Sequence, residues 1–328
     1  MYTKRSTRTC ILLILVTFIR LSAELQACEK KPGDSSTLNT GAKQKMLLTE
    51  TKAERISRMQ ADRRSTPEGY CALYRDDFVY FNENTWSRGL EDDTPGSDKA
   101  LIWNPQTGGA HLLNDNYAGY ITDEDAYIDS GALHLRNQAR SFQGDDPAGT
   151  FDYTSGWVNS LGKLKFNGTH RAVFIELQAK FPVGYDVWPA IWLVTDARRW
   201  PPEIDIWEYF GKFFTVDAKV DMMALRYIYG HWQDKEDLSK ELVGFDAQYD
   251  ISEWHRYGWE WTDSHMRWFV DGKLIHTFTR GDEIPHEEWP DEDFSLVMNN
   301  GVMRVNAGAG AVYPNHLVID YIDIWQGN

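Results

Sequence analysis

Cysteine is scarce, with three residues in a chain of 328: Cys10, Cys28 and Cys71. That count excludes a disulfide-stapled scaffold and a cysteine metal centre. Cys71 is expected to be an unpartnered small residue of the core. Basic residues are also short, 34 Lys and Arg against 49 Asp and Glu, for a net charge of −15. A surface of that sign repels phosphate backbones, which argues against a nucleic-acid partner and, more weakly, against a densely sulfated polymer. No apolar run reaches the roughly 18 residues that a membrane-spanning helix needs. The chain also lacks a Gly-rich phosphate loop, the strand–helix alternation of βαβ units and any fixed-period repeat.

What is present begins with a leader. Lys4, Arg5 and Arg8 precede an apolar run from Cys10 to Ile19, so residues 1–27 read as a signal peptide and the protein as exported. Leu25-Gln26-Ala27-Cys28 resembles a bacterial lipoprotein cleavage box, in which Cys28 becomes a lipidated membrane tether. Ordinary cleavage near Ala23 or Ala27, giving a freely secreted protein, is the alternative. Residues 28–66 are polar and lysine-rich and read as a linker or tether, with a marginal helix over 43–64. Residues 67–328 change texture. Short aromatic and β-branched runs such as Phe78-Val79-Tyr80-Phe81 and Val318-Ile319-Asp320-Tyr321-Ile322 alternate with Gly, Asn, Asp and Pro. That pattern predicts one all-β domain, a sandwich or barrel. Val270-Asp271-Gly272-Lys273 reads as a tight hairpin, and residues 229–237 as a charged, irregular rim.

One strand carries unusual chemistry. Glu203-Ile204-Asp205-Ile206-Trp207-Glu208 places three carboxylates in six residues. Strict alternation puts Glu203 and Asp205 on one face and Glu208 on the other. A single bulged residue at Ile206 or Trp207 returns Glu208 to the first face. It leaves four regular steps between the two Glu residues, about 13 Å between Cα atoms, which their long side chains must lean across. Clustered like charges cost stability and are tolerated mostly where shifted proton affinities are used. Paired carboxyl groups about 5–5.5 Å apart suit retaining glycoside hydrolysis, one attacking and one protonating the leaving oxygen. The 14 Trp, aromatics being 14% of the chain, supply flat surfaces for the apolar faces of sugars as well as core packing. Trp188 and Trp192, four apart on a strand, are expected on one face. His255 reads as a hydrogen-bonded structural histidine.

These residues resemble the bulged catalytic signature of glycoside hydrolase family 16, the group of laminarinases, agarases and carrageenases. Further segments agree in order: Asp76-Asp77-Phe78, Gly131-Ala132-Leu133-His134-Leu135, Trp188-Pro189-Ala190-Ile191-Trp192-Leu193, Trp254-His255-Arg256-Tyr257 and Ile319-Asp320-Tyr321-Ile322, so the resemblance spans about residues 74–326. It implies a jelly-roll β-sandwich of two antiparallel sheets with a concave substrate cleft. It further implies Glu203 as nucleophile, Glu208 as acid/base, Asp205 as assisting carboxylate, and Trp188, Trp192 and Trp200 along the sugar subsites. No cofactor is required; some members bind a structural calcium, for which Asp77 and Asp320 stand at the matching positions. The implied activity is endo-hydrolysis of a polysaccharide by a monomer, with a β-1,3-glucan first. A β-galactan hydrolase and a non-catalytic carbohydrate-binding module are the alternatives. The chain departs from many glucan-cleaving relatives in lacking a Thr-x-His element after the acidic strand, and it carries Gln178 where family members often have Arg.

Overall fold

Alternation along the strand Val187–Thr195 sets up the two layers. Val187, Ile191 and Leu193 join the main hydrophobic core, whereas Ala190, Trp192 and Val194 belong to a separate apolar cluster on the opposite face. A sheet with both faces apolar but unequal packs one against a second sheet and leaves the other for a site. The structure, a computed structural model, describes residues 66–90, 109–211, 223–229, 238–243, 249–308 and 310–327. The leader over 1–27, the tether up to residue 65 and the rim over 230–237 lie outside the described residues.

The first sheet has ten strands. Its main path runs Lys273–Thr279, His265–Val270, His255–Trp261, Val173–Lys180, Asn315–Gly327, Ala132–Asp145, Ala148–Ser155 and Gly119–Ile121. Tyr70–Asp76 and Ala126–Asp129 attach at its side. The second has eight strands, ordered Leu238–Val243, Met223–Tyr229, Glu203–Tyr209, Val187–Thr195, Phe294–Val302, Trp157–Asn159 and Ser87–Arg88, with Lys165–Phe166 beside Phe294–Val302. Among the described strands, pairing is antiparallel apart from Gly119–Ile121 against Ala148–Ser155. The described helical pieces are three-residue 3₁₀ turns. This is the all-β jelly-roll sandwich expected from the sequence. Between the layers lie Leu133, Leu135, Ile175, Leu177, Ile204, Ile206, Trp207, Trp259, Trp268 and Ile322, all in one buried cluster.

The anticipated Asp-Gly hairpin is present. Asp271 and Gly272 have φ of 51° and 80°, and Val270 pairs with Lys273. A two-residue loop with both φ positive matches the twist of the flanking strands. His255 sits beneath this turn with both ring nitrogens engaged, Nδ1 at 2.8 Å from Asp271 Oδ2 and Nε2 at 3.1 Å from the Asp250 carbonyl. Cys71 differs from expectation. It is half-buried on the strand Tyr70–Asp76 and disulfide-bonded, so it is not an unpaired core thiol.

Three asparagines stitch the layers together. Asn137 of the first sheet donates from Nδ2 to Asn300 Oδ1 (2.9 Å) and to the Gly301 carbonyl (2.8 Å) in the second. Asn300 Nδ2 donates in return to the carbonyls of Leu135 and Asn315. Both Asn137 and Asn300 are fully buried, so losing one partner strands the other. Asn300→Ala is therefore expected to lower unfolding free energy by about 2–3 kcal/mol in a urea titration, more than an exposed asparagine would.

Candidate active site

The parity of the acidic strand is broken where the sequence required it. Opposite the strand Val187–Thr195, Ile191 pairs with Trp207 and the next residue, Trp192, pairs with Asp205, so Ile206 is the extra residue. The other neighbour agrees, because Asp205 pairs with Arg226 and Glu208 with Ala224. Ile206 and Trp207 consequently both point into the core. Glu203, Asp205 and Glu208 lie opposite Val194, Trp192 and Ala190, three residues of one face, and so share that face themselves. The bulge thus assembles a carboxylate triad on the surface of the second sheet away from the core.

Each carboxylate is held by a different partner. Trp200 Nε1 donates to Glu203 Oε2 at 3.1 Å, and Trp188 Nε1 donates to Glu208 Oε1 at 2.7 Å. Glu203 and Asp205 are hydrogen-bonded side chain to side chain. Arg226, cross-strand from Asp205, brings Nε to 3.9 Å from Asp205 Oδ2 and Nη2 to 3.6 Å from Glu208 Oε2. Asp205 and Glu208 are buried. Burial first, and then the charges of the neighbouring carboxylates, raise the proton affinity of Glu203 and raise Asp205 well above the usual carboxylate range, against the lowering pull of Arg226. Elsewhere, burial of Asp125 also pushes upward. There, hydrogen bonds from Thr122, Gln138, Thr154 and Arg136 prevail and hold its carboxyl below the ordinary value. A buried carboxylate that serves structure is surrounded by donors; the triad is surrounded largely by its own kind.

The three tryptophans named from the sequence come together on this face but do different things. Trp188 is half-buried and stacks on Tyr117 with centroids 4.6 Å apart and planes 12° from parallel. Trp192, on the same face, is only 5% exposed. Its Nε1 donates to Asn299 Oδ1 at 2.8 Å and its ring meets Trp157 edge-on, so the two tryptophans differ in role despite sharing a face. Trp200 lies against the same apolar cluster. Residues that sequence reasoning did not single out complete the surface: Tyr117, Asn299 and Arg226. Tyr117 is buried, at 4% exposure, and burial first, then the charges of Glu208, Glu203 and Asp205, raise its hydroxyl's proton affinity. Gly301, cross-strand from Trp188, makes room for it, since a Cβ there would meet Tyr117 Cε1 at 2.6 Å.

The residues named for calcium sit elsewhere. Asp77 is ion-paired with Arg75 (Nη2–Oδ1 2.9 Å), a guanidinium that competes with a cation for the same oxygen. Asp320 is buried in the strand Asn315–Gly327. Among the described residues, no three His, Cys, Asp or Glu side chains gather as a metal-ligand set. Asn167, in the Asn-Gly-Thr triplet, accepts from the amides of Thr169 and His170 and forms a turn.

The raised proton affinities of Glu203 and Asp205 have a consequence for stability. A carboxyl whose folded-state proton affinity exceeds its unfolded one favours folding while protonated, below the ordinary carboxylate range near pH 4, and that contribution is lost as pH rises. Asp205→Asn removes one such group, so it is expected to stabilise the fold at pH 7–8 and to leave stability at pH 4 nearly unchanged. Thermal unfolding of both proteins at the two pH values measures this, and equal shifts at both contradict it.

Comparison with known proteins agrees with this geometry. The sequence profile of glycosyl hydrolases family 16 matches residues 120–322, which contain the triad and all three tryptophans. A β-glucanase of Rhodothermus marinus is 27% identical over 263 residues, covering 74% of this chain and 85% of that protein. A keratan-sulfate endo-1,4-β-galactosidase of Sphingobacterium multivorum is 27% identical over 252 residues, with 70% of this chain spanning 56% of that one. Among solved structures, the catalytic domain of an endo-1,3-β-glucanase (laminarinase) from Thermotoga petrophila superposes with a TM-score of 0.59 at 22% identity, covering 79% of this chain and 98% of that chain. With the profile matched over more than half its length, the chain belongs to glycosyl hydrolases family 16.

Proposed function

We propose that the protein is a retaining, endo-acting glycoside hydrolase that cuts internal β-linkages of a β-1,3-linked glucan. The observation that carries this reading is the bulge at Ile206, which gathers Glu203, Asp205 and Glu208 on one face. In the first step Glu203 attacks the anomeric carbon while Glu208 gives its proton to the glycosidic oxygen. The C–O bond to the leaving sugar breaks and an ester bond to Glu203 forms. In the second, Glu208 takes a proton from water, the resulting hydroxide displaces Glu203, and the anomeric configuration is restored. Asp205, hydrogen-bonded to Glu203, shares its proton equilibrium and orients it. The glucan assignment rests on the β-glucanase relative. A β-galactan is kept as a second reading because the chain lacks a Thr-x-His element after the acidic strand, and because a galactosidase is among the relatives.

A binding module without turnover has no use for three mutually repelling carboxylates, and this favours the enzyme. Export by residues 1–27, a lipid on Cys28 and a monomeric state belong to the same proposal.

Glu203→Gln is expected to cut kcat on laminarin by about 10³-fold or more while oligosaccharide binding persists in calorimetry. Full activity in that variant contradicts the nucleophile assignment. Reducing-end release from laminarin, mixed-linkage glucan, agarose and carrageenan tests the substrate. Cleavage of laminarin is expected, cleavage of agarose or carrageenan alone selects the galactan reading, and binding without cleavage of any polymer selects the binding module.

A further inference from the structure

Arg226 stands beside the bulge, where three like charges meet. Its strand pairs Arg226 with Asp205 and Ala224 with Glu208, so two steps along Met223–Tyr229 match the three from Asp205 to Glu208. Cross-strand partners share a face, which puts the guanidinium on the side of the carboxylates. Nε and Nη2 form one edge of that planar group, and this edge faces two acidic side chains at once. Nε lies 3.9 Å from Asp205 Oδ2 and Nη2 lies 3.6 Å from Glu208 Oε2. At these separations the attraction is between charges rather than through a direct hydrogen bond. Asp205 Oδ2 is buried without a hydrogen bond among the described residues, so the charge of Arg226 is what compensates it. The guanidinium carbon also lies 5.3 Å from the centroid of the Phe210 ring, which packs in turn on Trp188.

We propose that Arg226 is a positioning residue for the reaction, the shared counter-charge that ties Asp205 and Glu208 together across the bulge and sets the acid side of the pH–rate profile. This inference rests on the reading of Glu203 as nucleophile. Glu203 attacks only as the carboxylate, so the pH below which it holds a proton limits the rate. Burial and the charge of Glu208 favour that proton. Arg226 is the largest influence against it, ahead of the hydrogen bonds that Glu203 makes with Trp200 and Asp205. The other groups facing the site are acidic or neutral. Asp205 and Glu208 belong to the strand of Glu203 itself, and Tyr117 feels all three charges from the segment before Gly119–Ile121. Trp188, Trp192 and Asn299 come from the two strands on the other side. Glu241, in Leu238–Val243, is the register partner of Arg226 away from the triad. No bond is made or broken at Arg226, and the role requires no contact with the sugar. Its charge acts through the carboxylates, in a setting where partial burial leaves it little screened.

The test is the pH dependence of kcat/KM on laminarin, or on agarose if that polymer alone is cleaved, since this quantity reports ionisations of the free enzyme. Arg226→Met removes the charge and keeps an unbranched stem. Without the cation the carboxylates hold their protons to higher pH, so the acid limb is expected to move upward by about one unit. The loss relative to the unaltered protein is then about tenfold greater at pH values below the limb than above it. Arg226→Lys keeps a cation and is expected to shift the limb by less than half as much. An acid limb in Arg226→Met that stays in place or moves to lower pH overturns the proposal, whether activity is kept or is lost uniformly across pH. Equal displacement of the limb in Arg226→Lys and Arg226→Met also overturns it, because damage to packing rather than loss of charge would then be the cause. Arg226→Gln, a second neutral variant with the same expectations, serves should Arg226→Met fail to fold. Glu203→Gln separates this inference from the one beneath it. If Glu203→Gln is inactive and the limb of Arg226→Met is unmoved, only the role of Arg226 fails; if Glu203→Gln keeps full activity, the nucleophile assignment fails and the inference with it.

Discussion

One extra residue in the strand Glu203–Tyr209 sets the direction of three carboxylates. Without the bulge at Ile206, Glu208 would point into a core of Ile204, Tyr209 and Leu225, and an unpaired charge there would cost several kcal/mol. With it, Ile206 and Trp207 turn inward together and Glu208 joins Glu203 and Asp205 on the face toward Trp192 and Ala190. Core packing and site assembly are therefore the same event. Two bulky apolar side chains gain burial where a regular strand would have placed one, and this helps offset the repulsion that the bulge creates opposite.

The surroundings of the triad limit that repulsion without removing it. Two indole N–H groups and one guanidinium approach three carboxylates, and burial with mutual repulsion still leaves Glu203 and Asp205 raised. The contrast with Asp125 shows that this chain can satisfy a buried carboxylate by surrounding it with donors. At the triad it does not, and burial with partial compensation holds Glu203 and Asp205 above the ordinary carboxylate range. The same logic separates the tryptophans. Trp188 and Trp200 give their N–H groups to carboxylates, while Trp192 gives its own to Asn299 and serves the apolar wall.

Much of this was readable in the sequence because it depends on local periodicity. Alternation with period two announces strands wherever one face is buried, and the Asp271-Gly272 turn follows from the φ values that only a few residues adopt. The parity fault between Asp205 and Glu208 predicted a bulge from the acidic strand alone. Cys71 was misread because the cysteine count left it no partner once Cys10 was placed in the leader and Cys28 under a lipid, and its strand Tyr70–Asp76 lies at the side of its sheet with several residues exposed. Which face of an edge strand is covered depends on neighbours that local pattern does not identify.

By itself, then, the sequence determined the all-β class, the acidic strand and the need for one bulged residue, since each follows from side-chain spacing along a few consecutive positions. Tertiary structure alone decided what surrounds the carboxylates. Tyr117, Asn299 and Arg226 come from segments far apart in the chain, and they meet at the triad only because Phe294–Val302 and Met223–Tyr229 lie on either side of the two strands that carry it and Trp188. Strand order is a property of the whole sheet, set by how all its apolar faces are buried together. For that reason the spacing that placed Trp188 and Trp192 on one face could not reveal that one would hold a carboxylate and the other a wall.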